Sequence, residues 1–587
     1  MARHPVRSRR IGARVLGYAA ARSPWSLVDQ RRRLGIFRDS PRRSRSIGVG
    51  ASRTALFVTD SRSSFRELAE VARLLQSSGT WSSTICIVCD GVARDGELLA
   101  CRSEGIACVD MIGDAYKPRT SNFGSMLRRR FASIKTAPES LLPSEEAVER
   151  FASPARARGI HLDWARTLMR RAPLGRVRTL VRRSVAGFLL RCGQVVACVT
   201  SSSSRDAIRR RLGARSLVLQ LLKRRIQLDW ARLLMRRSTP DLVILCEDNV
   251  EGVSALVVKA AHEAAAAVAI IPNTIATAAE PAEAYWSNPD HALDRWSNRL
   301  VASLYPNWVH THKNRALLRL PAARALAVEW LGLAPPLPWQ INSGAADAIV
   351  VESTAIKRYF ERAGLPPTKL RLTGTLSTDR LAEGLAEAES RRARLCEQLD
   401  LVPGLPIVLS ALPPNQLDVR ATHCDFACYD DLLRFWVETL AQSDGWNVVL
   451  NLHPRSHAGP VRHFEGPRVR ITQEPVIDQI PLCDLFVASV SATIRWAIAC
   501  GKPVLNFDVY RYGYDDYAGL DGVVTLSDRQ AFAREARRML AEPDHLADLA
   551  RRQASAAADW GQLDGRSGAC LLRLFDELTA AGRADTQ

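Results

Sequence analysis

Lysine is scarce in this 587-residue chain, supplying only 8 of the 81 basic residues. With alanine so common, the preference for arginine reflects a GC-rich coding bias and is not by itself a sign of nucleic-acid binding. Long apolar runs are also missing. A membrane helix needs about 20 consecutive apolar residues, and the best stretch, Ala255 to Ile271, is broken by Lys259, His262 and Glu263. Aromatic residues make up 6% of the chain, too few for a base-stacking platform, and no nucleic-acid module is recognisable, so nucleic acid is not an expected partner. No GxGxxG follows the first strand-like segment, which disfavours a dinucleotide-dependent oxidoreductase. The cysteines number thirteen, odd and scattered through apolar runs, as expected of thiols in a cytoplasmic protein. Cys86 and Cys89 have CxxC spacing inside the strand-like STICIVCD, where residues three apart point to opposite faces. His423, Cys424, Asp425 and Cys428 lie close in sequence, but a zinc shell needs four suitably placed ligands. No metal is assigned.

What is present is a lopsided charge. Residues 341–587 carry 27 basic and 33 acidic side chains, leaving 54 and 28 in residues 1–340, an excess of 26 positive charges. Such a surface is drawn to phosphates or anionic lipid headgroups. An anionic membrane surface is therefore an expected partner, with the protein peripheral at the inner membrane face. The first 50 residues hold 13 arginines against two acids and no clean apolar segment. They read as a basic, disordered tail rather than a secretory signal, although an acid-poor, Arg- and Ser-rich start also suits a transit peptide.

From Thr54 the chain alternates apolar runs with helical spacing: TALFVTD, STICIVCD and IACVDMIG, then PDLVILCEDN, AVAIIPNT, GAADAIVVES and KLRLTG. After a helical stretch come LPIVLSALPPNQ, NVVLNLHPR, RVRITQE, DLFVAS, KPVLNFD and GVVTLSD. This predicts an α/β fold of two Rossmann-like doubly wound domains facing a cleft. The expected division is a tail over 1–50, an N-terminal acceptor domain over 51–340 and a C-terminal nucleotide-sugar domain over 341–587. Within the first domain, 117–239 reads as an Arg-rich helical insertion. It holds a repeat: IHLDWARTLMRR, Ile160 to Arg171, returns as IQLDWARLLMRR, Ile226 to Arg237, with ten of twelve positions identical. Paired surface helices packed by Leu162, Ala165 and Met169 are the first reading, and a basic amphipathic membrane device is the second. The Trp-, Pro- and Asn-rich stretch from Ala276 to Trp339 reads as loops and short helices.

Two places carry chemistry. In CDLFVASVSATIRWAIACGKPVLNFD, Leu485 to Ala488 and Val504 to Phe507 read as strands around a short helix from Thr493 to Cys500. The intervening turn, with Ser489, Ser491 and Thr493, stands where a strand's carboxyl end meets a helix amino end and where backbone N–H groups favour an anion. NLHPRSH puts His453 and Arg455 at the end of another strand. They would share a diphosphate with the Ser491 turn if the two strands are neighbours. The aromatic, acidic loop YRYGYDDY, Tyr510 to Tyr517, suits stacking on a base or sugar.

The order of strand and His-Pro, then Asp-Leu-Phe-Val-x-Ser-x-Ser-Ala, then helix and Gly-Lys-Pro-Val-Leu, resembles the C-terminal domain of the GT-B superfamily. The nearest groups are bacterial surface-polysaccharide glycosyltransferases, CDP-glycerol glycerophosphotransferases and UDP-N-acetylglucosamine 2-epimerases. Val351 to Leu381, with its (V/L)TG-x-x-x-x-D-x-L pattern, resembles the segment joining the two domains in the same group. The resemblance covers roughly residues 240–530, and its specificity lies in the order of short motifs. It implies a nucleotide-activated sugar as donor substrate with no separate cofactor, and an acceptor that is lipid-linked or a polysaccharide of capsule, lipopolysaccharide or teichoic type. His453, Arg455, Ser489, Ser491 and Thr493 would hold the donor phosphates. An inverting transfer asks for one general base, for which Asp248 is the first choice and Glu247 and Glu283 the alternatives. The epimerase His-Val-Glu-Ala-Gly is here Ile271-Pro272-Asn273-Thr274-Ile275. A transferase is therefore expected ahead of an epimerase or hydrolase, with a non-catalytic scaffold of the same fold as the third reading.

Overall fold

The structure, a computed structural model, describes residues 52–88, 92–93, 95–110, 202–275, 278–452 and 459–584. Seven parallel strands form the first sheet: β1 (Arg53–Thr59), β2 (Trp81–Ile87), β3 (Ala107–Asp110), β4 (Leu242–Leu245), β5 (Ala267–Ile270), β8 (Ala348–Val351) and β9 (Leu370–Leu372), in the order β3-β2-β1-β4-β5-β8-β9. Six more form the second: β10 (Ile407–Ala411), β11 (Asn447–Asn451), β12 (Val469–Thr472), β13 (Leu485–Ala488), β14 (Val504–Phe507) and β15 (Val523–Leu526), in the order β12-β11-β10-β13-β14-β15. Both are doubly wound Rossmann-like sheets whose order reverses beside the first strand, β1 in one and β10 in the other.

Parallel strands are buried on both faces, so their sequences run apolar without alternation. Within β1 the pleat still sorts them: Ala55 and Phe57 enter one core, Leu56 and Val58 the other. The first of these cores is filled by Phe65, Leu68, Ala72 and Leu75 of helix Arg62–Ser77, whose i, i+3, i+7, i+10 spacing makes one apolar stripe. Ser61 caps that helix by accepting from the Ser64 N–H at 3.2 Å. The other core runs on through both halves of the chain, from Leu256 and Val268 to Leu409 and Phe486.

The division between halves falls later than residue 340. Strand β8 pairs with β5 and β9 with β8, completing the first sheet, so the chain leaves it only after Leu372. It also comes back. The last helix, Ser567–Ala584, packs Leu571, Leu574 and Phe575 into the first-sheet core. Here the Thr373-Gly374 and Asp379 positions of the joining motif acquire a physical reason. The Asp379 carboxylate accepts from the N–H groups of Ser567 at 2.9 Å and Gly568 at 2.8 Å, capping the returning helix. Gly374 has φ +72°, and a Cβ there would lie 2.2 Å from Ser567 Oγ. Only glycine fits that crossing.

The expected stretch of loops and short helices has those helices, at Ala279–Tyr285, Trp296–Leu304 and Ala322–Trp330, and adds an antiparallel hairpin, β6 (Val309–His312) and β7 (Arg315–Leu318). Its two turn residues, Lys313 and Asn314, have φ +47° and +61°, the left-handed pair that a tight hairpin needs. Of the repeat, the second copy lies in helix Ser202–Ser238, where Leu228, Ala231 and Met235 are buried against the sheet's helices. This copy is packed on its Leu228, Ala231 and Met235 face. The first copy, Ile160 to Arg171, lies outside the described residues, as does the rest of 111–201 and the tail.

Candidate functional site

Ligands of open α/β sheets bind beyond the strands' carboxyl ends, where strand order reverses. In the first sheet that point lies between β1 and β4, which are paired. The segments leaving them bring up Asp60 and Cys246-Glu247-Asp248-Asn249. Asp60, Glu247, Ser64 and Ser254 line one small cavity there, and Asn273, following β5, donates to Ser63 Oγ at 3.3 Å and Ser64 Oγ at 3.4 Å at the same rim.

The three candidate bases have different environments. Asp248 is fully buried. Its carboxylate accepts from the N–H groups of Ser343, of Ala345 at 2.8 Å and of Ala346 at 3.1 Å, so it is spent on holding the segment that enters β8. Glu283 is nearly sealed as well. It takes His312 Nε2 at 2.6 Å, Lys313 Nζ at 3.0 Å and Arg420 Nη1 at 2.6 Å. Burial pushes its carboxyl up, but these three donors outweigh burial and hold it at about 2. A carboxylate so stabilised is a poor proton acceptor. Glu247 is half-buried and, among the described residues, accepts one hydrogen bond, from Asn249 Nδ2 at 2.5 Å. Burial raises it to about 7, with repulsion from Asp60, Asp248, Glu251 and Glu280 adding to the shift. That is the value a base working near neutrality requires. Asp60, raised by burial in the same place, was not singled out from sequence. Its signal was an acid directly following an apolar strand.

In the second sheet the reversal lies between β10 and β13, bringing together Leu412–Gln416 and the Ser489–Thr493 turn. Strands β13 and β14 and the helix Ile494–Ala499 lie where the sequence placed them. Ser489 is buried; Ser491 Oγ and Thr493 Oγ1 are 2.8 Å apart, and the Thr493 N–H donates to Ser491 Oγ at 3.3 Å. Val490 between them has φ +46°, a strained setting for a β-branched residue that is tolerated where the surroundings enforce it. Here Asn506 Oδ1 accepts its N–H at 2.8 Å and Tyr517 OH donates to Ser491 O at 3.0 Å. His453 and Arg455 lie outside the described residues. Their strand β11 is not a neighbour of β13, because β10 runs between them, and two strand spacings amount to about 10 Å.

The carboxyl-end loops of the two sheets touch each other through ion pairs that sequence reasoning missed. Arg495, in the helix after β13, meets Glu352, at the end of β8, at 2.5 Å with both side chains buried. Arg420, after β10, reaches Glu283, after β5, and lies 4.3 Å above the Tyr512 ring. The 510–517 loop is fixed on both sides: Tyr510 OH donates to Pro414 O at 2.7 Å, and Tyr359 OH donates to Asp516 at 2.5 Å. Tyr512 and Tyr514 are stacked with centroids 5.2 Å apart. Asp425 spends both oxygens on Arg511 at 2.6 Å, and among the described residues no His, Cys, Asp and Glu group is arranged to hold a metal ion. Cys86 is a buried thiol, and Cys89 lies outside the described residues.

No protein-family model matches the chain, and no curated protein does. Solved structures similar to it include a glycosyltransferase from Rickettsia africae, 10% identical over 90% of this chain and 98% of that one, with a TM-score of 0.40. A UDP-GlcNAc 2-epimerase from Neisseria meningitidis, bound to UDP-GlcNAc, is 11% identical over 89% of this chain and 100% of the other, TM-score 0.39. S. aureus MnaA with UDP is 8% identical over 89% and 95%, TM-score 0.42. The fold is GT-B-like on its own strand order: two doubly wound parallel sheets whose carboxyl-end loops meet.

Proposed function

We propose that the chain transfers a sugar, or a sugar-like phosphate unit, from a nucleotide-activated donor to a surface-polysaccharide or lipid-linked acceptor. The observation that carries this is the carboxyl of Glu247, half-buried at the first sheet's reversal point and held near pH 7. For a sugar donor the acceptor hydroxyl attacks the anomeric carbon while the bond from that carbon to the phosphate oxygen breaks. Its proton passes to Glu247, and the nucleoside diphosphate leaves with the electron pair. A phosphate unit would instead be attacked at phosphorus, and a nucleoside monophosphate would leave. The Ser489–Thr493 turn holds the donor diphosphate, and the Tyr512 and Tyr514 rings face the base or sugar; His453 and Arg455 follow β11, which β10 separates from the turn's strand, and are left to reach another part of the donor. Asp248 and Glu283 are left positioning roles, the first for the 343–346 segment and the second between the halves.

Replacing Ser491 by Ala is expected to weaken nucleotide binding about tenfold, since a hydrogen bond to a charged group contributes roughly 1.5–3 kcal/mol. Calorimetric titration of the folded variant checks this, and unchanged affinity would remove the turn from the donor site. The closeness of Asp60 to Glu247 favours a second reading, because sugar epimerisation by elimination and re-addition needs paired acids. In deuterated buffer with a nucleotide sugar alone, the transferase reading expects no solvent deuterium in the recovered sugar. Mass spectrometry showing its incorporation would establish the epimerase instead.

A further inference from the structure

The structure assigns a membrane-docking face to the helices outside the first sheet. We infer that helix Ser202–Ser238 and helix Trp296–Leu304 rest on an anionic bilayer surface. On the long helix, one face is spent on the protein: Arg224, Leu228, Ala231 and Met235 are buried. The opposite face is apolar yet open. Val218, Leu219, Leu222 and Ile226 fall within a third of a turn of one another, and Leu219 is 64% exposed. Beside them stand Lys223, Arg225, Arg236 and Arg237, with Asp229 the one acid of 216–238, whereas Arg224 turns inward to the Gly252 and Glu251 carbonyls and Arg232 pairs with Glu263. Trp296, Leu300 and Leu304 repeat the pattern at i, i+4 and i+8, with Trp296 59% and Leu304 58% exposed and Arg299 beside them. Helix Ala322–Trp330 packs against both helices and ends on the exposed Trp330, so it joins the two helices into one group.

A water-facing helix has no use for so much open leucine and tryptophan. Two observations select a lipid surface as the occupant. The basic side chains Lys223, Arg225, Arg236 and Arg237 of the long helix complement anionic headgroups, and exposed tryptophan next to arginine is the composition of a membrane–water boundary. Nucleic acid would share the charge but leave the leucines unused.

The test is co-sedimentation of the full chain with phosphatidylcholine vesicles, with and without phosphatidylglycerol, at low and high salt. Two variants accompany it, Leu219→Gln with Leu222→Gln, and Trp296→Ser with Leu300→Gln. All four positions are exposed, so unfolding temperatures should stay as in the parent. The expected result is partitioning onto the anionic vesicles that falls with salt, and falls about tenfold or more in each variant from the lost apolar burial. Indifference to phosphatidylglycerol would overturn the assignment. So would variants that partition like the parent, which would give the binding to the basic tail. A parent dimer dissociated by the same substitutions would overturn it in favour of a second copy of the chain, and selective loss of RNA or DNA binding would do so in favour of nucleic acid. Vesicle binding is read without turnover or donor, so this inference and the donor reading fail independently.

Discussion

Replacing Glu247 by Gln should lower turnover by about a hundredfold to ten-thousandfold, the range for loss of a general base, while nucleotide affinity stays as in the parent. The pH dependence carries the same signature. A base held at about 7 is protonated and idle below that pH, so the parent's rate should rise through pH 7 and level off above it. The variant should lose that limb. Stability moves the opposite way. A carboxyl raised in the folded state binds protons more tightly there than when unfolded, so the protein loses stability as pH rises from about 4.5 towards 7. The neutral Gln escapes that loss, and Glu247→Gln should be more stable than the parent at pH 8, on the order of 1 kcal/mol after allowing for partial exposure. Urea unfolding at pH 5 and pH 8 measures it. A variant both inactive and destabilised at pH 8 would mean that Glu247 supports the fold rather than the chemistry.

Replacing Arg495 by Ala should be the most damaging single change between the two halves. Glu352 would remain buried without its partner, and breaking a buried pair costs about 3–5 kcal/mol. Glu67 adds to this. Its carboxyl is pushed up to about 7 by burial and by Glu70, and Arg495 is the charge that pulls it back. The single variant should therefore unfold at markedly lower denaturant. Arg495→Met combined with Glu352→Leu should recover most of the loss, because an apolar pair leaves no uncompensated charge. Equal loss in single and double variants would show that packing around Arg495, not its charge, matters.

The sheets were legible in the sequence because parallel strands are buried on both faces and read as apolar runs. β13 and β14 begin and end where the composition of 485–507 put them. The hairpin β6–β7 was not legible, because VHTH and RALL are four residues each, half-buried and partly polar, and give neither a run nor a clean alternation. The sequence leaves the start of the second half open between about 340 and 400, because β8, β9 and the final helix join the first sheet's layers after long connections and local periodicity does not encode which sheet a strand joins. Glu247 and Asp248 were both legible as strand-end acids, but their order was not. Adjacent residues leaving a strand point to opposite sides, so one carboxylate enters the 343–346 segment while the other meets the rim with Asp60. The ion pairs Glu283–Arg420 and Glu352–Arg495 join residues more than a hundred positions apart, beyond any spacing pattern.

The central claim, a nucleotide-sugar enzyme with its donor on the Ser489–Thr493 turn and its base at Glu247, is tested most directly by a thermal-shift screen of nucleotides and nucleotide sugars. A ligand that binds the folded state alone raises the unfolding temperature in proportion to the logarithm of its concentration. The predicted result is that at least one nucleoside diphosphate sugar stabilises the parent and Glu247→Gln alike, while Ser491→Ala needs about tenfold more of it for the same shift; the contradicting result is that no nucleotide or nucleotide sugar shifts the parent at any concentration.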